Sequence, residues 1–63
     1  MKFEEALKAM REGKKVKRPD FMYPIIFEKD EELFFAIYED GYELIYWLEH
    51  NDIIAEDWEV VDD

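Results

Sequence analysis

Apolar positions at the start of the chain repeat with the period of an α-helix. Four of them fall at i, i+3, i+4 and i+7: Phe3, Ala6, Leu7 and Met10. This spacing places them on one stripe of a helix over residues 3–12. Gly13 follows as a residue that adopts a positive φ easily and ends a helix. The pattern therefore predicts an N-terminal helix with one apolar face.

Two apolar segments, residues 33–39 and 42–47, flank Asp40-Gly41 and predict a β-hairpin. Asp-Gly is a favoured pair for a two-residue type I′ turn, and a two-residue loop fixes the register of the strands. The pairs predicted on one face are Glu39 with Tyr42, Ile37 with Leu44, and Phe35 with Tyr46. The pairs predicted on the other face are Tyr38 with Glu43, Ala36 with Ile45, and Phe34 with Trp47. Both faces of the hairpin are therefore apolar.

Short segments between the helix and the hairpin predict two further strands. They cover residues 14–18 and 22–28, with a turn at Pro19-Asp20 between them. Pro24 favours an edge position or an irregular start for the second strand, because proline donates no backbone hydrogen bond.

The segments after the hairpin predict a helical turn and a last strand. Residues 51–57 have the pattern of a capped turn with Asn51 or Asp52 at the N-cap. Residues 58–61 alternate as a strand. We expect a single α+β domain over residues 1–63, in which the N-terminal helix packs on a small antiparallel sheet of about four to five strands.

The two-faced hairpin favours self-association. One helix covers only one face of a sheet, so the other face needs a ligand or a second copy of the chain. A sheet that curls and partly covers itself is the alternative. We expect a homo-oligomer.

Charge divides the chain into two halves. All eight basic residues lie in residues 1–29, which carry a net charge of +3, whereas residues 30–63 carry thirteen acidic residues and no basic one. The resulting net charge of −10 disfavours direct nucleic-acid binding and anionic membranes. No apolar run approaches the roughly 20 residues that cross a bilayer. We expect a soluble protein of the cytoplasm.

The inventory of reactive side chains favours binding over catalysis. The chain has no serine, threonine or cysteine, which excludes their side chains as nucleophiles, and two glycines do not make a phosphate loop. His50 near Asp52, and the pair Asp52 and Asp57, have no spacing specific to acid–base or metal chemistry. We expect no enzyme activity, no cofactor and no metal site.

Aromatic and basic side chains are the candidates for ligand contact. Aromatic rings make up 17% of the chain and stack on nucleobases. Basic side chains next to them would hold phosphates, with arginine favoured for its forked geometry. The basic candidates are Lys14, Lys15, Lys17 and Arg18.

The two ends of the chain resemble a known phage and prophage family. The opening that carries the resemblance is Phe3-Glu4-Glu5-Ala6-Leu7, then Gly13-Lys14-Lys15-Val16-Lys17-Arg18, then Phe21. The closing stretch is Asp52-Ile53-Ile54-Ala55-Glu56-Asp57-Trp58-Glu59-Val60-Val61. Both are similar to the family of Thoeris anti-defense 2-like domains. Its members are small oligomeric sponges that sequester cyclic nucleotide signals of bacterial immune systems, notably cyclic ADP-ribose isomers.

The resemblance implies a function and a site. It implies a non-catalytic immune-evasion protein in the cytoplasm of a host bacterial cell, assembled as a dimer or, more in keeping with the family, a tetramer. The ligand site implied lies between protomers. Phe21 and Trp47 would sandwich a base, Arg18 would meet a phosphate, and Asp52 would accept from a ribose hydroxyl or base amine. Asp57 and Trp58 would be structural.

A second hypothesis concerns a protein partner. Some relatives in this family have been described as anti-CRISPR proteins. The thirteen carboxylates of residues 30–63 would then imitate nucleic acid and inhibit a basic host defence protein, such as a CRISPR nuclease. Salt distinguishes the two hypotheses, because charge mimicry weakens as the screening length shortens from about 10 Å at 0.1 M to about 3 Å at 1 M.

Overall fold

The computed structural model describes residues 1–61 and has the α+β architecture that the sequence predicts. Two helices and five strands follow one another along the chain. They are α1 (Phe3–Arg11), β1 (Lys15–Lys17), β2 (Ile25–Glu28), β3 (Leu33–Ile37), β4 (Glu43–Ile45), α2 (His50–Ile54) and β5 (Glu59–Val61). Within residues 1–61, no helix has the length and hydrophobicity that crossing a bilayer requires.

The five strands form one antiparallel sheet in the order β4-β3-β2-β1-β5. Strand β5 therefore returns to pair with β1, and β2 continues the sheet on the other side of β1. Val16 in β1 has a paired residue on each neighbouring strand, Ile25 in β2 and Val60 in β5. Its side chain is fully buried.

Helix α1 packs on one face of this sheet and forms the core with it. The buried core consists of Ala6, Ala9, Met10, Val16, Ile25 and Trp58. Phe3 joins the helix to the sheet and to the end of the chain, because its ring lies 6.4 Å from that of Phe34 and 5.6 Å from that of Trp58. The apolar stripe predicted for the N-terminal helix is thus its packing face.

The hairpin at Asp40-Gly41 forms, but the predicted register is wrong by one residue. Ile37 pairs with Glu43, not with Leu44. The Tyr38 N–H donates to the Tyr42 carbonyl, and the Gly41 N–H donates to the Tyr38 carbonyl, each at 2.9 Å. The loop therefore has three residues, 39–41.

Gly41 and Asp40 explain the longer loop. Gly41 has a φ of +87°, the left-handed conformation that the last residue of a three-residue hairpin loop requires. The Asp40 carboxylate accepts from the Tyr42 N–H at 2.9 Å. An Asp-Gly pair serves either loop length, and the side-chain hydrogen bond to Tyr42 stabilises the longer one.

The shifted register redistributes the side chains over the two faces, because paired strand residues share a face. The face on the α1 side carries Phe34, Ala36, Tyr38, Tyr42, Leu44 and Tyr46. The opposite face carries Leu33, Phe35, Ile37, Glu43 and Ile45. The second face is therefore still largely apolar, and Ile45 is 40% exposed.

Helix α2 begins earlier than the sequence predicts. Its N-cap is Glu49, so the prediction of Asn51 or Asp52 at this position is wrong. Asp52 lies at the third helical position, from which its carboxylate reaches back and accepts from the Glu49 N–H at 3.0 Å. A carboxylate is favoured both at the N-cap and at the third helical position, because both lie near the positive end of the helix. Asp52 takes the third position, where its side chain is buried.

We predict that Trp58→Ala unfolds the protein. Trp58 is buried, packs on Phe3 and Phe21, and donates its indole N–H to the Asp52 carbonyl at 2.8 Å. Truncating a buried aromatic side chain costs about 3–5 kcal/mol, which is a large part of the stability of a small domain. Urea unfolding followed by circular dichroism measures the loss. Tyr42→Ala, which removes a largely exposed ring, is the matched control and should unfold near the wild-type midpoint.

Candidate functional site

The carboxylate of Asp52 organises the polar part of the candidate site. Its Oδ1 accepts from Arg18 Nη1 at 2.8 Å. Its Oδ2 accepts from the Tyr46 hydroxyl at 2.7 Å and from the Glu49 N–H at 3.0 Å. The side chain is only 5% exposed, so a buried charge is satisfied by three donors from three parts of the chain.

Arg18 reaches a second carboxylate, that of Asp57. Its Nε donates to Asp57 Oδ1 at 2.9 Å. The strand pairing explains the contact, since Arg18 directly follows β1 and Asp57 lies shortly before β5. Lys17 pairs with Glu59 in the same antiparallel ladder, which brings the two segments side by side. One guanidinium thus bridges two acids.

These contacts fix the protonation states of the network. Burial raises the pKa of the Asp52 carboxyl, but the hydrogen bonds from Glu49, Tyr46 and Arg18 outweigh it, so the net pKa lies below the ordinary value. Burial, followed by the hydrogen bond to Asp52, raises the pKa of the Tyr46 phenol well above its usual range. The hydrogen bonds to Asp57 and Asp52 raise the pKa of Arg18. At neutral pH the network holds a carboxylate, a phenol and a guanidinium.

Aromatic rings adjoin this polar network. The Phe21 ring lies 5.3 Å from that of Tyr46 and 5.4 Å from that of Trp58, to which it is perpendicular. The Phe21 N–H donates to the Arg18 carbonyl at 2.9 Å, so the turn after β1 positions both residues. The turn after β1 therefore positions both an aromatic and a polar residue of the site.

A mainly apolar groove of about 210 Å³ is lined in part by Phe21 and Tyr46. Tyr23 and Tyr38 form part of its wall as a stacked pair, with ring centres 4.3 Å apart and planes inclined by 21°. Tyr46 connects the two halves of the site, because its ring lines the groove while its hydroxyl binds Asp52. The lining residues are Phe21, Met22, Tyr23, Ile25, Ala36, Tyr38 and Tyr46.

The structure brings together three of the four site residues predicted from the sequence. Arg18, Phe21 and Asp52 meet around Tyr46 and Trp58. Among the described residues 1–61, Trp47 is the predicted site residue that takes part in none of these contacts, and it is 72% exposed.

Tyr23, Tyr38 and Tyr46 were among the aromatic candidates for ligand contact, but neither they nor Asp57 were assigned to the site from the sequence. Tyr46 was assigned to the wrong face by the two-residue hairpin loop, and the stacking of Tyr23 on Tyr38 has no local signal in the sequence. Asp57 was predicted to be structural, and its ion pair with Arg18 was not predicted. In the described part of the chain, no set of three or more acidic or histidine side chains is grouped so as to hold a metal ion.

We predict that Asp52 stabilises the fold at neutral pH and that this stabilisation is lost at acidic pH. Because its folded pKa is lowered, its contribution is fully present above the ordinary pKa of about 3.9 and is lost as the pH falls through the folded value. Asp52→Asn should therefore lower the free energy of unfolding at pH 7, and the gap from wild type should close below about pH 4. Urea titrations at several pH values measure it. A gap that stays constant down to about pH 2.5 would show that the charge of Asp52 does not stabilise the fold.

Comparison with known proteins places the chain in a family. No curated protein matches the sequence. The family model of the Thoeris anti-defense 2-like domain matches residues 1–61, which include every residue of the Asp52 network and of the aromatic groove. The resemblance of the two chain ends is thereby confirmed over nearly the whole sequence. The chain belongs to the family of Thoeris anti-defense 2-like domains.

Proposed function

We propose that this protein is a phage-type anti-defence protein that binds a cyclic nucleotide signal, such as a cyclic ADP-ribose isomer, and sequesters it. The observation that carries the proposal is an aromatic groove directly beside a held arginine. Tyr46 lines the groove and binds the same carboxylate that holds Arg18. Membership of an anti-defense family supports a role against a bacterial immune system.

The two parts of the site suit the two parts of a nucleotide. Aromatic side chains stack on bases, and each stacked base is stabilised by about 1–3 kcal/mol. Tyr23, Tyr38 and Phe21 supply ring surface along the groove. The guanidinium of Arg18 supplies a cation whose forked donors match a phosphate. A ligand with a base and a phosphate would thus contact both.

The size of the groove favours a site completed by a second copy of the chain. Ligand pockets usually enclose about 300–1,000 Å³, and this groove offers about 210 Å³. Its volume lies below that range, so a site enlarged by a second copy would suit a whole cyclic nucleotide better. Trp47 is exposed and lies on the opposite sheet face from the groove, so a protomer packed head-to-tail against the groove can contribute its ring.

The composition favours binding without cleavage. The chain has no serine, threonine or cysteine to act as a nucleophile. The one basic side chain of the site, Arg18, stays protonated and accepts no proton. We infer that the signal is retained intact and leaves when the protein unfolds.

We predict that Tyr23→Ala weakens binding of a cyclic ADP-ribose isomer by roughly 5- to 150-fold, the equivalent of about 1–3 kcal/mol for one lost stacking surface. Tyr42→Ala is the matched control, because Tyr42 contacts Tyr38 with its ring perpendicular, does not line the groove and is largely exposed. Calorimetry measures both. Equal affinities for the two variants would place the base elsewhere.

Sequestration is tested on the same complex. The protein is incubated with cyclic ADP-ribose isomers and cyclic dinucleotides, then heated, and the supernatant is analysed by chromatography. Intact ligand in the supernatant supports the proposal. A hydrolysed product would instead show an enzyme, and no binding to any of these molecules would remove the sponge function.

The second candidate function is inhibition of a basic host defence protein by charge mimicry. The net charge of −13 in residues 30–63 favours it. Binding by mimicry should fall steeply between about 0.1 M and 1 M salt, whereas stacking on a small ligand should change much less.

We predict that the protein assembles through the sheet face that α1 does not cover. Trp47 is largely exposed and Ile45 partly so, and apolar surface of this kind is usually buried against a partner. Repulsion between acidic halves opposes assembly, so the oligomer should tighten from low to moderate salt. Light scattering at about 10 μM should give a dimer or a tetramer of the 7.8 kDa chain.

Two charge-matched variants locate the interface. Ile45→Lys lies on the uncovered face, and Tyr42→Lys lies on the face of α1. Only Ile45→Lys should dissociate the oligomer. A wild-type monomer at both salt concentrations would refute the assembly.

A further inference from the structure

Arg18 is held by two carboxylates that differ in burial. Asp52 binds Nη1 at 2.8 Å with a side chain that is 5% exposed, whereas Asp57 binds Nε at 2.9 Å with a side chain that is 48% exposed. The two acids therefore engage different edges of one guanidinium. Asp52 does so in the protein interior, and Asp57 does so at the surface.

The Asp52 contact is the fixed one. Its carboxylate also accepts from Tyr46 and from the backbone of Glu49, so releasing Arg18 would leave a buried charge with fewer donors. The Asp57 contact is the weak one, because exposed ion pairs compete with water and with dissolved ions and contribute little to stability.

The edge occupied by Asp57 is the one that a phosphate prefers. Nε and Nη2 lie on the same side of the guanidinium and form a two-donor fork for two oxygens of one anion. Asp57 occupies Nε on that edge. The diphosphate of a cyclic ADP-ribose isomer carries two negative charges and more acceptor oxygens than one carboxylate, so it competes well for the fork.

We propose that Asp57 is a displaceable partner of Arg18, which a phosphate group of the ligand replaces while Asp52 keeps the guanidinium in place. This inference rests on the proposed function and identifies the group that the site selects for. In the unliganded protein Asp57 occupies the place of the phosphate oxygens. Asp57 thus disfavours ligands with a single carboxylate, because they gain nothing when one carboxylate replaces another.

The test uses inorganic pyrophosphate as the probe and the full chain as the protein. The Nε–H resonance of Arg18 is followed by NMR during the titration, in wild type, in Asp57→Asn and in Glu56→Gln. Glu56→Gln is the matched control, since it removes the same charge one residue away, at an exposed position. Wild type should show a shift of the Arg18 resonance on binding. Asp57→Asn should bind pyrophosphate about threefold to fivefold more tightly than Glu56→Gln, the ratio expected when one exposed ion pair no longer competes.

Two outcomes would overturn the proposal. Equal affinities of Asp57→Asn and Glu56→Gln would show that Asp57 contributes only net charge. An Arg18 resonance in wild type that does not move at saturating pyrophosphate would show a purely structural arginine. If Asp57→Asn does not fold, the wild-type titration still tests the proposal, because an Arg18 resonance that does not move overturns it.

The probe also separates this inference from the proposed function. Pyrophosphate has no base and does not test the aromatic groove. If cyclic nucleotides fail to bind while Asp57→Asn tightens pyrophosphate binding, the proposed function fails alone. If cyclic nucleotides bind and the two variants do not differ, the exchange of Asp57 fails alone.

Discussion

The burial of one charge, the carboxylate of Asp52, constrains the rest of this small structure. An ionised group removed from water is stable only if donors surround it, and here they come from Arg18 after β1, Tyr46 after β4 and Glu49 before α2. The Asp52 carbonyl also accepts from the Trp58 indole, which lies in the core. Asp52 thus connects the β4 edge and the β1-β5 edge of the sheet to the core beneath α1. The candidate site lies around this residue.

The parts of the fold that depend on periodicity could be predicted from the sequence. The stripe of Phe3, Ala6, Leu7 and Met10 predicted α1 and its packing face, because helical spacing alone decides which side chains share a side. The hairpin register could not be predicted, since Gly41 accepts a positive φ in loops of two or three residues. The hydrogen bond from the Tyr42 N–H to Asp40 favours one of them, and that contact exists only in the folded turn.

The same one-residue difference limited the prediction of the site. The register decides the face on which Tyr46 lies, and Tyr46 is the residue that joins the groove to Asp52. The resemblance to a family, not a local pattern, suggested Arg18, Phe21 and Asp52 together, and the structure places these three residues close to one another. The contact between Arg18 and Asp57 spans 39 residues, and it follows from the pairing of β1 with β5, which the sequence did not indicate.

The strand order has a consequence for when the site forms during folding. Strands β2, β3 and β4 are neighbours in sequence and pair through short loops, so this meander closes at small entropic cost. Strand β5 must instead find β1 across some forty intervening residues, and contacts of such high sequence separation form slowly. Arg18 lies beside one of these strands and Asp57 beside the other. A chain that has folded only its meander therefore has aromatic surface but lacks the contact between Arg18 and Asp57, and the candidate site is complete only when β5 has paired with β1.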